Sequence, residues 1–397
     1  MVKKVALIGI GVGEESLSAE AIKAIAQAQL IFGAKRMLEL SVISGKPCVA
    51  IFEAEKIRER IEREDKEYYA VLLSGDTGFY SGAHSLVEAL VSFEVSVYAG
   101  ISSVSYFFSK LKRPWQHARL ISAHGKEISV ADVVRRNAET FVLTGGNTHE
   151  LAEDLVKAGF GELQVTRGEN LGSPEEKITQ CSAEELQASP SASLTVLLID
   201  NPHPDRRVLT GIADAKFIRG EVPMSKAPVR AQILSRLRIS PEDICYDIGA
   251  GTGSVSVEMA LAAYEGKVYS IDHNPEAIGL MEKNARAFHL GNIFPIEGQA
   301  PEALKELSAP DVAFIGGAGG RMEETMTLLL EKNPKVRIVL STIALESLTE
   351  ALMAFKNNHL EPEIMQLGSS RARGAGSVRL MIADNPIYIL SAGGEDE

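Results

Sequence analysis

Asp247-Ile-Gly249-Ala-Gly251-Thr-Gly253 decides the reading of this chain. The apolar run Ile244-Cys-Tyr-Asp-Ile ahead of it reads as a buried strand. Val255–Ala263 behind it reads as a helix, so the glycines occupy a strand–loop–helix junction. Glycines at alternate positions leave no Cβ between the backbone and a ligand. The spacing departs from the dinucleotide fingerprint G-x-G-x-x-G, whose third glycine would fall on Ser254. That fingerprint serves a pyrophosphate resting on the helix N-terminus. The loop here suits a ligand without phosphate, S-adenosylmethionine, whose amino group needs a carboxylate. Asp247 offers one directly ahead of the glycines.

The surroundings extend the same site. Lys267–Asp272 reads as the next strand and ends on Asp272, nineteen residues past Gly253, where an acid can accept both ribose hydroxyls. Gly298 and Ala300 follow a third strand, where an adenine is commonly cradled. Gly316 ends the fourth, Asp311–Ile315, beside the expected position of the methyl group. Helices are expected over Pro228–Leu237 and Pro275–Phe288, and a further strand over Val336–Ser341. Val378–Ala383 and Ile387–Leu390 are expected to close the sheet as a late hairpin. This half is read as a doubly wound, Rossmann-like α/β domain.

Upstream lies a second α/β series. Val5-Ala-Leu-Ile is a strand running into glycines, and Ser18–Ala34 has helical periodicity. Strands are expected at Tyr69-Ala-Val-Leu-Leu, Phe93–Ala99, Phe141-Val-Leu-Thr and Leu194-Thr-Val-Leu-Leu-Ile, with helices at Ser81–Leu90 and His149–Ala158. Asn201-Pro-His-Pro-Asp-Arg-Arg is turn-rich and cannot continue a strand. The domains are therefore set at 1–203 and 204–397. A length of 397 residues also calls for more than one core.

The formal net charge is −12, which opposes nucleic-acid or anionic-membrane binding. Cys48, Cys181 and Cys245 match no ligand spacing and read as reduced thiols. His117, His124, His149, His203, His273, His289 and His359 fit no metal-ligand spacing either, and no metal is expected. His84 is more simply a helix residue than a catalytic one. No apolar run approaches a membrane span, and a cytoplasmic location is expected.

Two groups of motifs carry a family resemblance. Gly211-Ile-Ala-Asp-Ala-Lys-Phe-Ile-Arg219-Gly-Glu-Val-Pro223-Met224-Ser225-Lys226, followed by the glycine loop, resembles the decarboxylating C-15 methyltransferases of cobalamin biosynthesis. In the first half, Ile8-Gly9-Ile-Gly11-Val-Gly13, Ser74-Gly75-Asp76-Thr-Gly78-Phe-Tyr80, Ala99-Gly-Ile-Ser102-Ser103 and Arg167-Gly-Glu-Asn-Leu-Gly172 resemble the tetrapyrrole methylases that act on C-5. Their order is that of the fused precorrin-6B C(5,15)-methyltransferase (decarboxylating) family.

The resemblance implies a two-lobed methylase fold, with lobes of about 1–110 and 111–203, ahead of the Rossmann-like class I methyltransferase domain. It implies one S-adenosylmethionine per domain and a precorrin-6B-type tetrapyrrole as acceptor. The product would be precorrin-8, after methylation at C-5 and C-15 and loss of the ring C acetate. In the first half the donor contacts implied are Gly9, Gly11, Gly75, Asp76, Gly78, Ser102 and Ser103. In the second they are Pro223 and Ser225, added to Asp247, Gly249, Gly251, Gly253, Asp272, Gly298, Ala300 and Gly316. Arg219, Met224 and Lys226 are implied as the catalytic group. A homo-oligomer is expected from the relatives.

Two loops depart from the family. Gly-Pro-Gly-Asp becomes Gly11-Val-Gly13-Glu14, and Gly-Asp-Pro becomes Gly75-Asp76-Thr77.

Meso carbons of a reduced tetrapyrrole are already nucleophilic, so placement and exclusion of water supply the rate. The acetate requires a cationic anchor, and Arg219, Lys226 and Arg230 are candidates beside Arg371, Arg373 and Arg379. The turn at Arg373-Gly-Ala-Gly376 is a possible flap. The alternatives are a methyltransferase with another small-molecule or RNA acceptor and one domain degenerate, an NAD-dependent oxidoreductase, or a non-enzymatic sensor.

Overall fold

The computed structural model describes residues 2–123 and 129–394; His124 lies outside them. By tertiary contact these residues form two compact units, each discontinuous in sequence. One contains 2–123, 139–150 and 163–200; the other contains 129–138, 151–162 and 201–394.

The first unit holds two sheets. In one, β1 (Lys4–Gly9), β2 (Leu30–Phe32), β3 (Cys48–Val49), β4 (Tyr68–Leu73) and β5 (Glu94–Tyr98) run parallel in the order β3-β2-β4-β1-β5. Their connections include helices α1 (Ala19–Gln27), α2 (Ala54–Arg63) and α3 (Ala83–Ala89). Leu7 and Phe32 join Ile57 and Ile61 in a core on one face, while Ile8, Ile25 and Ile31 build the other. Both faces are covered, so the strands are apolar runs rather than alternating ones. Ser18 caps α1 by accepting from the Ala21 N–H at 3.1 Å. Helix α4 (Ser103–Leu111) ends on Lys112 in the left-handed region.

Beyond it comes the other sheet. Strands β6 (Arg119–Ser122), β7 (Glu139–Leu143), β8 (Gln164–Glu169), β9 (Lys177–Ser182) and β10 (Thr195–Asp200) lie in the order β6-β7-β10-β8-β9, antiparallel except for β6 with β7. Phe107 and Phe108 of α4 pack with Phe141 and Leu198 as its core. A capping box, Ser182 with Glu185, starts helix α7 (Ala183–Ala188). Two helices of this stretch, α5 (Val130–Arg136) and most of α6 (Thr148–Lys157), are grouped with the second unit.

The second unit is built on a seven-stranded sheet. Its elements are α8 (Ala227–Leu237), β11 (Ile244–Ile248), α9 (Ser254–Ala262), β12 (Lys267–Asp272), α10 (Pro275–Ala287), β13 (Ile293–Glu297), β14 (Val312–Ile315), α11 (Met322–Lys332), β15 (Arg337–Thr342), α12 (Leu345–Asn357) and β16 (Glu363–Leu367), then β17 (Ser370–Ala375), β18 (Val378–Ala383) and β19 (Ile387–Ala392). The order β13-β12-β11-β14-β15-β19-β16 reverses direction beside β11, the doubly wound arrangement expected, and ligands bind at such a switch point.

The C-terminal pairing differs from expectation. β19 inserts antiparallel between β15 and β16, but Val378–Ala383 stays out of the sheet and pairs with β17. β16–β17 and β18–β19 are the arms of one long hairpin, and only the half with sheet neighbours joins the sheet. Arg373 and Gly374 accordingly lie in a strand, not in a flexible turn; Gly376, with φ +61°, makes the reversal.

Candidate functional site

In the second unit the glycine loop is held from several sides. Gly249, Gly251 and Gly253 all have positive φ, at 75°, 57° and 72°. The space a side chain would take is filled by protein. A Cβ on Gly249 would lie 2.8 Å from the Gly317 backbone, one on Gly251 2.5 Å from the Pro223 carbonyl oxygen, and one on Gly253 2.9 Å from Met281. The glycines therefore answer first to their packing, and clearance for a ligand is a second consequence.

Asp247 is fully buried in β11. One carboxylate oxygen accepts the Ser256 hydroxyl proton, while Oδ1 has no partner. Burial pushes its pKa up to about 7, against the lowering effect of the Ser256 hydrogen bonds; Asp272 adds a smaller upward push. An orphaned buried oxygen beside a glycine loop suits a cationic ligand group. Asp272 ends β12. Its Oδ2 accepts the Gly251 N–H at 2.9 Å and its Oδ1 the Asn274 N–H at 3.0 Å, tying the loop to the second strand.

Two cavities meet here. The smaller, about 160 Å³, is lined by Gly249, Asp272, Gly298 and Ala300 among others. The larger, about 670 Å³, is lined by Pro223, Met224, Ser225, Lys226 and Gly316. Gly317, Ala318 and Gly319 wall both. The structure thus brings Gly249, Asp272 and the 223–226 segment to the cavities, while Asp247, Gly251 and Gly253 line neither of them.

Arg219 is exposed and outside both linings. Arg230, expected as a carboxylate anchor, is fully buried and satisfied by protein groups, so it cannot meet substrate. Arg371 is half-exposed and paired with Asp214 at 3.0 Å and Asp384 at 3.4 Å. Arg373 and Arg379 are exposed on the hairpin.

The 211–226 segment forms a strap on the loop. Asn284 of α10, buried, donates to the carbonyls of Ile218 at 3.0 Å and Thr252 at 2.9 Å, and accepts the Ile218 N–H at 2.8 Å. One side chain therefore fastens the strap to the glycine loop. Sequence reading missed Asn284 and Ser256; the available signal was a polar residue inside an otherwise apolar helix stripe.

In the first unit the tips of β1, β4 and β5 converge. Gly11 and Gly75 exchange backbone hydrogen bonds of 3.1 and 3.2 Å. A Cβ on Gly9 would lie 2.7 Å from Gly100 N and Gly75 O, and one on Gly100 2.7 Å from Gly11 N and Gly9 O. Nothing in the local sequence marks Gly100 apart from its neighbours; the convergence of the strand tips does. Asp76 accepts the Gly78 N–H at 2.7 Å, which shapes that loop. Ser102 caps α4, accepting the Ser105 N–H at 3.1 Å, and Ser103 is the first helical residue.

The altered first loop is fastened internally. The Ser16 hydroxyl accepts the Val12 N–H at 3.1 Å and reaches the carbonyls of Ile10 at 3.1 Å and Gly13 at 2.6 Å. Glu14 accepts from the Ser41 hydroxyl and N–H, which lowers its pKa. A Cβ on Gly172, from the other lobe, would collide with the Val12 carbonyl. Arg167 turns into the 189–191 segment and is structural. His84 is exposed on α3, 3.4 Å from Glu88.

Residues 4–187 match the family model of the Tetrapyrrole (Corrin/Porphyrin) Methylases, and 217–392 match that of the Precorrin methyltransferase domain. A Sinorhizobium protein described as precorrin-6Y C(5,15)-methyltransferase [decarboxylating] is 30% identical over 93% of this chain and 92% of its own length. A Pyrobaculum calidifontis protein, described as a probable cobalt-precorrin-6B C(15)-methyltransferase (decarboxylating), is 40% identical over 46% of this chain and 95% of its own. The crystal structure of a Geobacter metallireducens precorrin-6Y C5,15-methyltransferase, at 31% identity, covers 47% of this chain and 98% of that one, with a TM-score of 0.45.

Proposed function

The chain belongs to the precorrin-6Y C(5,15)-methyltransferase (decarboxylating) family, and on that premise we propose that it methylates one precorrin-type tetrapyrrole twice. The first half, 1–203, acts at C-5. The second, 204–397, acts at C-15 and removes the ring C acetate as carbon dioxide. Enzymes of this family use S-adenosylmethionine; one donor site in each half is our reading. The observation that carries it is the unpartnered Asp247 oxygen, buried at the end of the strand whose next residues, Ile248 and Gly249, line the smaller cavity.

Bound there, the donor supplies an electrophilic methyl group on a sulfonium. Asp247 holds its ammonium group and Asp272 its ribose hydroxyls, while Gly298 and Ala300 flank the adenine. Gly316 leaves room where the acceptor carbon approaches. Met224 gives the acceptor cavity an apolar wall, and Lys226 is its cation for a substrate carboxylate. Arg219 acts from the exposed face of the strap. In the first half the converged tips carrying Gly9, Gly11, Gly75, Asp76 and Gly78, with Ser102 and Ser103 at the start of α4, form the corresponding cradle.

When a meso carbon takes the methyl group, the conjugated ring becomes the electron sink for the acetate. The C–C bond to the carboxylate breaks, its electron pair enters the ring, and a proton completes the product. The acidic surface supports a small-molecule acceptor over nucleic acid, and no described helix is long and apolar enough to cross a membrane. A cytoplasmic homo-oligomer fits this reading. The test is mass spectrometry after incubating the full chain with S-adenosylmethionine and precorrin-6B or its cobalt form. Two added methyl groups with loss of one carbon dioxide are expected. Donor binding without any change in mass would sink the acceptor assignment.

A further inference from the structure

Arg230 is the largest fully buried side chain among the described residues, and the chemistry above makes no use of it. Its Nε donates to Glu258 at 2.8 Å. Nη1 reaches Asp214 at 3.1 Å and the Ser225 carbonyl, and Nη2 the Ile212 carbonyl. The guanidinium lies 4.7 Å from the centre of the Phe217 ring. Glu258 is equally buried and accepts the N–H groups of Gly211 at 2.7 Å and Ile212 at 2.9 Å. Apart from each other, every one of these partners lies on the 211–226 strap.

We infer that the Arg230–Glu258 pair is a buried clamp that sets the strap over the glycine loop, making both residues positioning residues for methyl transfer in the second half. The inference rests on the function proposed for that site. Stability alone does not explain two charges here, because a buried ion pair is often no more stabilising than apolar side chains of equal volume. Apolar side chains cannot satisfy the N–H groups of residues 211 and 212 or the carbonyls of 212 and 225, which belong to a strap without strand partners. The strap in turn touches the site. The Pro223 carbonyl occupies the place of a Gly251 side chain, and Pro223 through Lys226 line the acceptor cavity. A small displacement of the strap would misplace both ligands.

The test uses the full chain as E258Q, R230K and the apolar double variant R230M/E258L. In the single variants the donor KM for C-15 methylation should rise about tenfold with a smaller change in kcat, while C-5 methylation in the same tube stays as in the wild type. Tryptic cleavage after Lys216 and Arg219, both exposed on the strap, should accelerate. The double variant should recover melting temperature but keep the raised KM and the faster cleavage. Recovery of KM together with melting temperature, or parallel loss of both methylations, would show a purely structural pair and overturn the clamp. Should the wild type fail to methylate C-15 at all, the proposed function fails instead, and the clamp is judged on cleavage, where an unchanged rate in E258Q refutes it.

Discussion

Both halves of the chain end parallel strands in glycine loops, yet the glycines are required by different neighbours. In the first half Gly9 and Gly100 are required by one another and by the backbones of Gly11 and Gly75, while Gly11 itself is required by the Ser16 side chain. In the second half they are required by elements far along the chain, Gly249 by Gly317, Gly251 by the strap and Gly253 by α10. The first arrangement is a knot of strand tips and the second a loop under a cover. On the function proposed above both cradle the same small donor, and a shared ligand then does not imply a shared construction.

The largest expected effects come from filling each cradle. Gly249→Ala puts a methyl group against the Gly317 backbone at a φ of 75°; it should abolish C-15 methylation and carbon dioxide release while C-5 methylation persists. Gly100→Ala should do the reverse. Product masses and donor binding check both, and loss of the two activities from either single change would mean that the halves do not work independently.

Next comes Asp247→Asn. With its pKa near 7, Asp247 is largely ionised at pH 8 and largely protonated at pH 6. Donor affinity in the second half should therefore rise as the pH passes through about 7. The Asn variant should bind about ten- to a hundredfold more weakly at pH 8, and the deficit should shrink roughly five- to eightfold at pH 6. The sign for stability is opposite. The folded pKa lies above the ordinary 3.8, so the folded state holds the proton more tightly, and stability from this group falls as pH rises from about 4 to 7. Replacing Asp247 should thus raise stability at pH 8, by on the order of a few kcal/mol. Asp132 is also pushed up to about 7 by burial, so only the difference between wild-type and variant melting curves isolates Asp247. A pH-independent difference in donor affinity would break the assignment of its role.

The smallest effect belongs to the altered first loop. Ser16→Ala removes the acceptor for the Val12 N–H and should cost about 1 kcal/mol, raising the donor KM for C-5 methylation roughly fivefold. C-15 methylation should be unchanged. An unaffected C-5 reaction would mean that Gly172 and Glu14 hold the loop without the hydroxyl.

Much of the site could be read directly from the chain. The strand–loop–helix around Asp247, the acid ending the next strand and the order of the two halves are all local patterns. A strand that must end, turn and become a helix writes its requirements into about a dozen neighbouring residues. What the pattern left open is long-range. Arg230 looks like a substrate anchor until Glu258 and Asp214 are seen to enclose it. Gly100 looks like any glycine until three strand tips meet there. Val378–Ala383 reads as a strand that closes the main sheet but pairs with β17 outside it. The sequence by itself determined the family of the chain, because the family's motifs are short, contiguous loops. Only the tertiary structure decided which charges line the cavities and which are buried in the frame, because burial and pairing depend on residues tens of positions apart whose meeting no local spacing records.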